Sequence, residues 1–169
     1  MINSFAKLSK EIIIFALIIG IAMNVMSVVR SPTLDSQKLP SFQGLTINQN
    51  RLDQTRLYTQ PTIIYFWGSW CSVCTVQSPV IDRLKDEANI ISIAVHSGRD
   101  DDLIKMMKSS GYSFQTYNDS NGVWSQKFKV KSFPTLFIYD QRGHLQFTEV
   151  GYTTTLGLKA RLTWLKLGI

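Results

Sequence analysis

Residues 62–74 have the sequence TIIYFWGSWCSVC, and this stretch decides the class of fold. The run TIIYFW is short, rich in β-branched and aromatic residues, and bounded by Pro61 and Gly68, so it favours a buried strand over a helix. Over residues 72–87 apolar side chains recur at helical spacing. The stretch therefore predicts a buried strand that is followed almost directly by a helix.

Further apolar runs along the chain predict more strands and helices. Residues 90–95 form a second buried strand, so strand, helix and strand make a βαβ unit in which the two strands are parallel. The remaining elements are expected at residues 100–111 (helix), 114–117 (strand), 121–128 (helix), 135–139 and 145–150 (a hairpin) and 154–167 (an amphipathic helix). Together they predict a mixed α/β sheet that is sandwiched by helices.

The two cysteines of the chain, Cys71 and Cys74, lie where the predicted strand gives way to the helix. At a helix N-terminus the unpaired backbone N–H groups and the helix dipole favour the thiolate of Cys71, which is the form that attacks a disulfide. Cys74 follows one helical turn later, close enough to attack the resulting mixed disulfide. This placement indicates thiol-disulfide exchange.

Two other uses of the cysteine pair fit the sequence less well. A disulfide across so short a loop constrains the unfolded chain very little, which disfavours a purely stabilising bridge. A C-x-x-C pair can also be half of a zinc site, but the sequence has no second pair of cysteines, and His96 and His144 lack ligand spacing. Neither a metal nor another cofactor is predicted.

Two separated motifs carry a family resemblance. Residues 65–74, YFWGSWCSVC, resemble the segment of thioredoxins that leads from a strand into the active site, and residues 132–136, SFPTL, resemble their cis-proline segment. The resemblance covers about residues 41–167 and is greatest to the membrane-anchored TlpA-like and redoxin branch, including proteins of the suppressor of copper sensitivity D type. It implies a thioredoxin-like three-layer sandwich and a protein disulfide oxidoreductase whose redox-active disulfide joins Cys71 and Cys74.

The resemblance also implies roles for three residues near the cysteines. Pro134 is expected to follow a cis peptide bond and to lie beside the cysteine pair, and the Phe133 backbone is expected to offer hydrogen-bonding groups to an extended substrate. Trp70 is expected to flank the nucleophile and to pack against the substrate. Without the resemblance, Pro134 would be an ordinary proline at the start of a strand, and Trp70 a core residue.

The sequence departs from the family at two points. Many thioredoxins have a buried Asp on the strand before the active site, which moves protons for the second cysteine, and the matching residue here is Tyr65. A phenol is a poor base at neutral pH, so another group or water must take this step. The dipeptide between the cysteines, Ser72-Val73, is also neither Gly-Pro nor Pro-His, so the reduction potential cannot be transferred from those relatives.

Residues 12–29 form an uncharged run, IIIFALIIGIAMNVMSVV, close to the length that crosses a bilayer as a helix. Lys7 and Lys10 precede it and only Arg30 follows closely, so the positive-inside rule places the N-terminus in the cytoplasm. We therefore predict a single-pass protein of the bacterial inner membrane with a cytoplasmic N-terminus (1–11), a transmembrane signal-anchor (12–29), a tether (30–40) and a periplasmic thioredoxin-like domain (41–169).

A cleaved signal peptide and a buried core helix are the rival interpretations of residues 12–29. The run is longer than the usual apolar region of a signal peptide, about 7 to 15 residues, and its end lacks a small-residue cleavage site. An all-round apolar helix before a polar, proline-containing stretch also fits a core position poorly.

The charge pattern predicts no nucleic-acid partner. The formal net charge is +6 at pH 7, and residues 31–169 carry 15 basic and 11 acidic side chains. Only Lys127, Lys129 and Lys131 lie close together, with no aromatic interleaving and no helix suited to a groove, so the basic residues are interpreted as a solvated face.

These observations favour a periplasmic enzyme that exchanges the Cys71–Cys74 disulfide with protein disulfide or dithiol substrates, while a membrane electron-transfer partner resets the pair. A reductase is favoured because related anchored proteins commonly are reductases. One alternative is a Cu(I)-binding or copper-stress protein using the same thiolates, although copper-delivering relatives have a C-x-x-x-C pair and a distal His. A thiol peroxidase would need Thr where Gly68 stands.

Overall fold

Helices and strands alternate along most of the chain. The structure is a computed structural model that describes residues 2–168, with residues 2–9, 16, 17, 23, 24 and 28 described by their backbone alone. Met1 and Ile169, the outer bounds of the predicted cytoplasmic N-terminus and domain, lie outside the described residues. The elements are α1 (Ile2–Arg30), a short 3-10 helix (Gln54–Tyr58), β1 (Thr62–Trp67), α2 (Ser72–Asp82), β2 (Asn89–Val95), α3 (Asp100–Ser110), β3 (Gln115–Asp119), α4 (Val123–Lys127), β4 (Thr135–Tyr139), β5 (Leu145–Val150) and α5 (Thr155–Leu167).

The strands form one mixed sheet in the order β3-β2-β1-β4-β5. β1 is parallel to β2, and β2 to β3, whereas β4 is antiparallel to both β1 and β5. Near the end of β1, Phe66 lies opposite Ile93 of β2 and Thr135 of β4. The predicted βαβ unit and hairpin are confirmed, and the chain that leaves β1 emerges between two neighbouring strands.

Both faces of the sheet are covered, because side chains of β1 alternate between two apolar clusters. Tyr65 and Trp67 belong to the cluster that α2, α3 and α5 cover, and Phe66 belongs to the cluster beneath α4 and residues 39–57. Every side chain of β1 is buried, as its uninterrupted apolar sequence predicts. The fold is the predicted thioredoxin-like three-layer sandwich, with helices on both faces of a mixed sheet.

α2 ends at Asp82, five residues before the predicted end of this helix. After the C-cap residue Arg83, the N–H of Leu84 donates to the carbonyl of Ile81, so the chain tightens into turns that span three residues. Leu84 is nonetheless fully buried in the core. Its position prolongs the apolar pattern past the end of the helix, which explains the longer prediction.

The segment after α1 is docked on the domain over much of its length. The predicted tether covers residues 30–40, but the N–H of Leu39 donates to the carbonyl of Gly143 (2.7 Å), and the N–H of Leu145 donates to the carbonyl of Gln37 (2.7 Å). Leu39 is buried. A stretch with prolines and no apolar periodicity gives no sign of such contacts in the sequence, and the boundary between tether and domain after residue 40 stays a prediction.

α1 begins earlier than the predicted anchor and includes it entirely. Its residues 10–27 are long and apolar enough to cross a membrane, and few of their side chains are buried against the rest of the chain. Ser27 is an exception, since it is only 7% exposed. α1 therefore has an apolar surface that the folded domain leaves uncovered.

The buried carboxylate of Asp119, the last residue of β3, provides a test of the fold. Asp119 accepts the backbone N–H groups of Trp124 (2.9 Å) and Ser125 (2.8 Å) at the start of α4. We expect Asp119→Ala to lower the free energy of unfolding by about 1 to 2 kcal/mol, because two helix N–H groups lose their acceptor. Urea unfolding of the full chain in mild detergent measures this. Asp101→Ala, at an exposed position of α3, is the matched control, and an equal effect of both substitutions would contradict the capping role.

Candidate active site

Cys71 and Cys74 are joined by a disulfide at the start of α2. Cys71 is the N-cap residue, and its Sγ accepts the backbone N–H of Cys74 at 3.2 Å. Cys71 is 8% exposed, whereas Cys74 is fully buried. An incoming thiol or disulfide can therefore reach only the sulfur of Cys71, and the helix N-terminus stabilises negative charge on that sulfur when the bond is reduced.

The loop between β1 and Cys71 is tied to the end of β2. The N–H of Ser69 donates to Oγ of Ser97 (3.0 Å), and Oγ of Ser97 donates to the carbonyl of Val95 (3.0 Å). The same carbonyl accepts Nε1–H of Trp70 at 3.1 Å. These bonds fix the orientation of the residue that precedes the nucleophile.

Trp70 is a surface residue of the site, because 57% of it is exposed. Its indole meets the ring of Phe133 edge to face, with ring centroids 5.3 Å apart. A Cβ atom at Gly68 would lie 2.6 Å from Cε2 of this indole, so any larger residue at position 68 would displace it. The core-packing alternative for Trp70 does not hold, and contact with a substrate stays a prediction.

The peptide bond between Phe133 and Pro134 is cis, as the family resemblance implies. Thr135, the next residue, pairs with Phe66 of β1, which places the cis bond beside the chain that leads into Cys71. The carbonyl of Pro134 accepts the N–H of Gly151 at 2.8 Å. No hydrogen bond among residues 2–168 involves the N–H or carbonyl of Phe133, and their use by an extended substrate stays a prediction.

Tyr65 occupies the strand position of the family's buried Asp and lies directly behind the second cysteine. Its hydroxyl is 2.9 Å from Oγ of Ser78 and donates to the carbonyl of Cys74 at 3.4 Å. Burial raises the pKa of Tyr65 far above the ordinary value for a phenol, because the charged form would lose its hydration. Tyr65 is therefore neutral near pH 7, where a phenol is a poor base for the Cys74 thiol.

A small pocket on the other side of α2 brings solvent close to this hydroxyl pair. Ser78 lines it together with Thr75, Ser110 and Tyr112. The Ser78 hydroxyl can both donate to and accept from water that enters this pocket. The observation fits the expectation that water or another group replaces the family's carboxylate.

All five predicted site residues lie at one end of the sheet. The structure joins Cys71 to Cys74, places Trp70 against Phe133, and sets the cis bond before Pro134 beside them. Sequence reasoning missed Ser97 and Ser78, which hold the loop and the Tyr65 hydroxyl. Isolated serines that follow a strand or lie inside a helix give no signal of such contacts, because the partners are distant in the sequence.

Comparisons with known proteins show the family of this chain. A model of the AhpC/TSA family matches residues 36–148. A "Thioredoxin-like protein" of Haemophilus influenzae is 30% identical over 161 residues, which cover 92% of this chain and 93% of that protein. "Sporulation thiol-disulfide oxidoreductase A" of Bacillus subtilis is 25% identical over 107 residues, covering 59% of this chain and 65% of that protein.

Solved structures show the same fold. A secreted disulfide oxidoreductase of Mycobacterium tuberculosis, described as homologous to DsbE of Escherichia coli, superposes with a TM-score of 0.63 at 20% identity. The match covers 73% of this chain and 96% of that structure. The part of this chain outside the match corresponds in size to α1 and the segment that follows it.

A neutral, structural role for the Tyr65 hydroxyl predicts the effect of removing it. Tyr65→Phe should lower the free energy of unfolding by about 0.5 to 1.5 kcal/mol, the usual net contribution of one hydrogen bond, and should leave the pH dependence of thiol-disulfide exchange unchanged. Urea unfolding and exchange rates between pH 5 and 9 measure the two effects. Ser78→Ala removes the same bond from the other side and is the matched control. A displaced pH profile in Tyr65→Phe alone would show that the phenol transfers protons.

Proposed function

The chain belongs to the AhpC/TSA family and is a thiol:disulfide oxidoreductase of thioredoxin fold; from this premise, we propose that it is a membrane-anchored reductase of protein disulfides in the bacterial periplasm. The observation that carries the proposal is the contrast between the two sulfurs. Cys71 is reachable at the N-terminus of α2, and Cys74 is buried directly behind it. In this proposal the sulfur of Cys71 attacks the substrate, and the sulfur of Cys74 resolves the mixed disulfide.

The reduced pair would act in two exchanges. The Cys71 thiolate attacks a sulfur of the substrate disulfide, which forms a mixed disulfide and expels the other substrate sulfur as a thiolate. The Cys74 thiolate then attacks Sγ of Cys71 and releases the second substrate sulfur. The substrate gains two electrons and two protons, and the enzyme is left with the Cys71–Cys74 disulfide.

The direction of electron flow is inferred from the related anchored proteins, which commonly are reductases. A reductase in an oxidising compartment must receive electrons from the cytoplasmic side of the membrane. We therefore propose that a membrane electron-transfer protein with its own thiol pair reduces the Cys71–Cys74 disulfide after each cycle. The anchor would keep the enzyme close to this donor.

The basic residues Lys7 and Lys10 precede the apolar run and orient it with its N-terminus in the cytoplasm, as an anchor or as a signal peptide. One observation supports an uncleaved anchor. Ser27 and Ser31 make hydrogen bonds to β5, so the end of α1 is part of the folded structure. Cleavage after the apolar run would remove the first of these contacts.

The finer subgroup is also part of the proposal. The segment between the two motifs, with its extra strand and helix, suggests the TlpA-like and redoxin branch, including the suppressor of copper sensitivity D type. The copper alternative itself has no support, because the relatives with named activities are described by thiol-disulfide exchange. A peroxidase is disfavoured because Gly68 stands where it would need Thr, and a side chain at position 68 would displace the Trp70 indole.

Trapping of the mixed disulfide tests the assignment of the two cysteines. In Cys74→Ser the second exchange cannot occur, so we expect a covalent complex with substrate proteins that is resolved by dithiothreitol. Cys71→Ser is the matched control and should form no such complex, because the remaining sulfur is buried. Non-reducing gels followed by mass spectrometry measure the outcome. Equal trapping by both variants would contradict the assignment, and turnover of peroxide without a protein disulfide would favour the peroxidase.

Membrane anchoring and orientation can be checked in cells. We expect the full chain to stay with the membrane after alkaline carbonate extraction, because α1 crosses the bilayer. Protease added to spheroplasts should digest the domain and spare a tag placed on the cytoplasmic N-terminus. Release of a soluble domain during growth would instead indicate a cleaved signal peptide.

A further inference from the structure

The end of α1 is bonded to the edge strand β5 by side chains. Oγ of Ser27 accepts the N–H of Val150 (2.9 Å) and donates to Oε2 of Glu149 (3.3 Å), and Oγ of Ser31 donates to the carbonyl of Thr148 (3.2 Å). Ser27 and Glu149 are both buried. Buried polar groups are stable only while their partners remain in place, so this contact resists separation of helix and domain.

Glu149 is itself held from the domain side. Its Oε1 lies 2.6 Å from Nη2 of Arg161, and the guanidinium of Arg161 stands over the ring of Phe147 at 5.6 Å. The carboxylate is thus fixed between β5 and α5 and keeps one oxygen directed at Ser27. The contacts among Ser27, Glu149 and Arg161 therefore join α1 to β5 and α5.

The chain beyond α1 stays on the same edge. After Ser31, residues 37–39 pair with the turn and first residue of β5, through Gly143, His144 and Leu145. Residues 27, 31 and 37–39 thus meet β5 in antiparallel order and form a strap at the edge of the sheet. Between them, Asp35 pairs with Lys129, and Leu34 packs against the apolar cluster that contains Phe66. The strap therefore joins α1 to the domain at several points.

The direction of the strap sets which end of the domain faces the bilayer. Ser27 lies at Val150, and Val150 pairs with Thr135, the residue after the cis-proline. Leu39 lies at Gly143, at the opposite end of β5, about 20 Å away for a strand of this length. α1 thus reaches the domain at the end of the sheet that also holds Cys71, which we call the redox end.

That end carries an exposed apolar rim, which consists of Trp70, Val73, Val76, Tyr152 and Leu156. The N–H of Thr153 donates to Oε1 of Gln77 (2.7 Å), so the loop after β5, which carries Tyr152, lies against α2, which carries Val73 and Val76. Leu156 is 79% exposed. The basic residues Arg30 and Lys131 line a hollow at this end, which suits anionic lipid headgroups nearby.

From this geometry we infer that the strap holds the redox end toward the bilayer, and that the rim around Cys71 docks on the periplasmic surface of a membrane-embedded protein with a thiol pair. The inference rests on the proposed function, since it assigns a surface to the proposed electron donor. The occupant is a protein and not lipid alone, because the rim surrounds a sulfur that must exchange electrons with another sulfur. When Cys71 faces the bilayer, it can reach the thiols of a membrane-embedded donor.

Quenching by lipid tests the orientation in the full chain. One protein carries a fluorophore on Cys71 in the Cys74→Ser variant. The second carries it at the opposite end of the domain, in an Arg142→Cys variant whose two native cysteines are replaced by Ser. Each full-length protein is placed in vesicles that contain a quencher linked to the lipid headgroups. The label on Cys71 should be quenched at least about threefold more strongly than the label at position 142, because the two ends of β5 are about 20 Å apart. Ser27→Ala should reduce the difference. Equal quenching of the two labels, or stronger quenching at position 142, would overturn the orientation.

Substitution of the rim tests the docking surface. Leu156→Asp should raise the fraction of oxidised Cys71–Cys74 in cells several-fold, because a charge at position 156 prevents the electron donor from binding to the apolar rim. Thiol alkylation measures this fraction. Leu167→Asp, at a 65% exposed position at the other end of α5, is the matched control and should resemble wild type. An unchanged redox state in Leu156→Asp would overturn the docking surface. Exchange with glutathione disulfide in solution should be normal in both variants, and its absence in the wild-type chain would instead refute the proposed function.

Discussion

The site depends on the abrupt passage from β1 to α2 at residues 68–71. β1 is buried on both faces at the centre of the sheet, so its end is fixed by its neighbours, and Gly68 lets the chain turn beneath the Trp70 indole. The first residue after this turn, Cys71, caps α2 and offers its sulfur to the N–H of Cys74. The backbone N–H groups at the start of α2 need hydrogen-bond acceptors, and Sγ of Cys71, which is also the reactive atom, accepts one of them.

The same end of the sheet collects the remaining parts of the site for topological reasons. β4 is antiparallel to β1, so its first residues, with the cis bond before Pro134, lie beside the last residues of β1. β5 is antiparallel to β4, and its last residue, Val150, therefore returns to that end and meets Ser27 of α1. The cysteine pair, the cis bond before Pro134 and the contact with α1 consequently lie at one end of the sheet.

Much of this arrangement was predictable from the sequence, and the parts that were not share a cause. The strand TIIYFW, the cysteine pair and the hairpin have local patterns, and the resemblance supplied the cis bond before Pro134. The Ser27–Glu149 contact and the docking of Leu39 join residues more than 100 positions apart, with no periodicity at either partner. The Tyr65–Ser78 pair was equally hidden, although Tyr65 itself was recognisable as a departure from the family.

The central claim is that Cys71 and Cys74 form a reversible couple with a reducing potential. The most direct test is the reduction potential of the full chain in mild detergent, equilibrated with glutathione or dithiothreitol buffers and read by alkylation of the free thiols. The account predicts a value near that of thioredoxin, about −270 mV, as a reductase supplied from the membrane requires. A value near about −120 mV would identify an oxidant and contradict the proposed direction, and the absence of any reversible couple would contradict the enzyme itself.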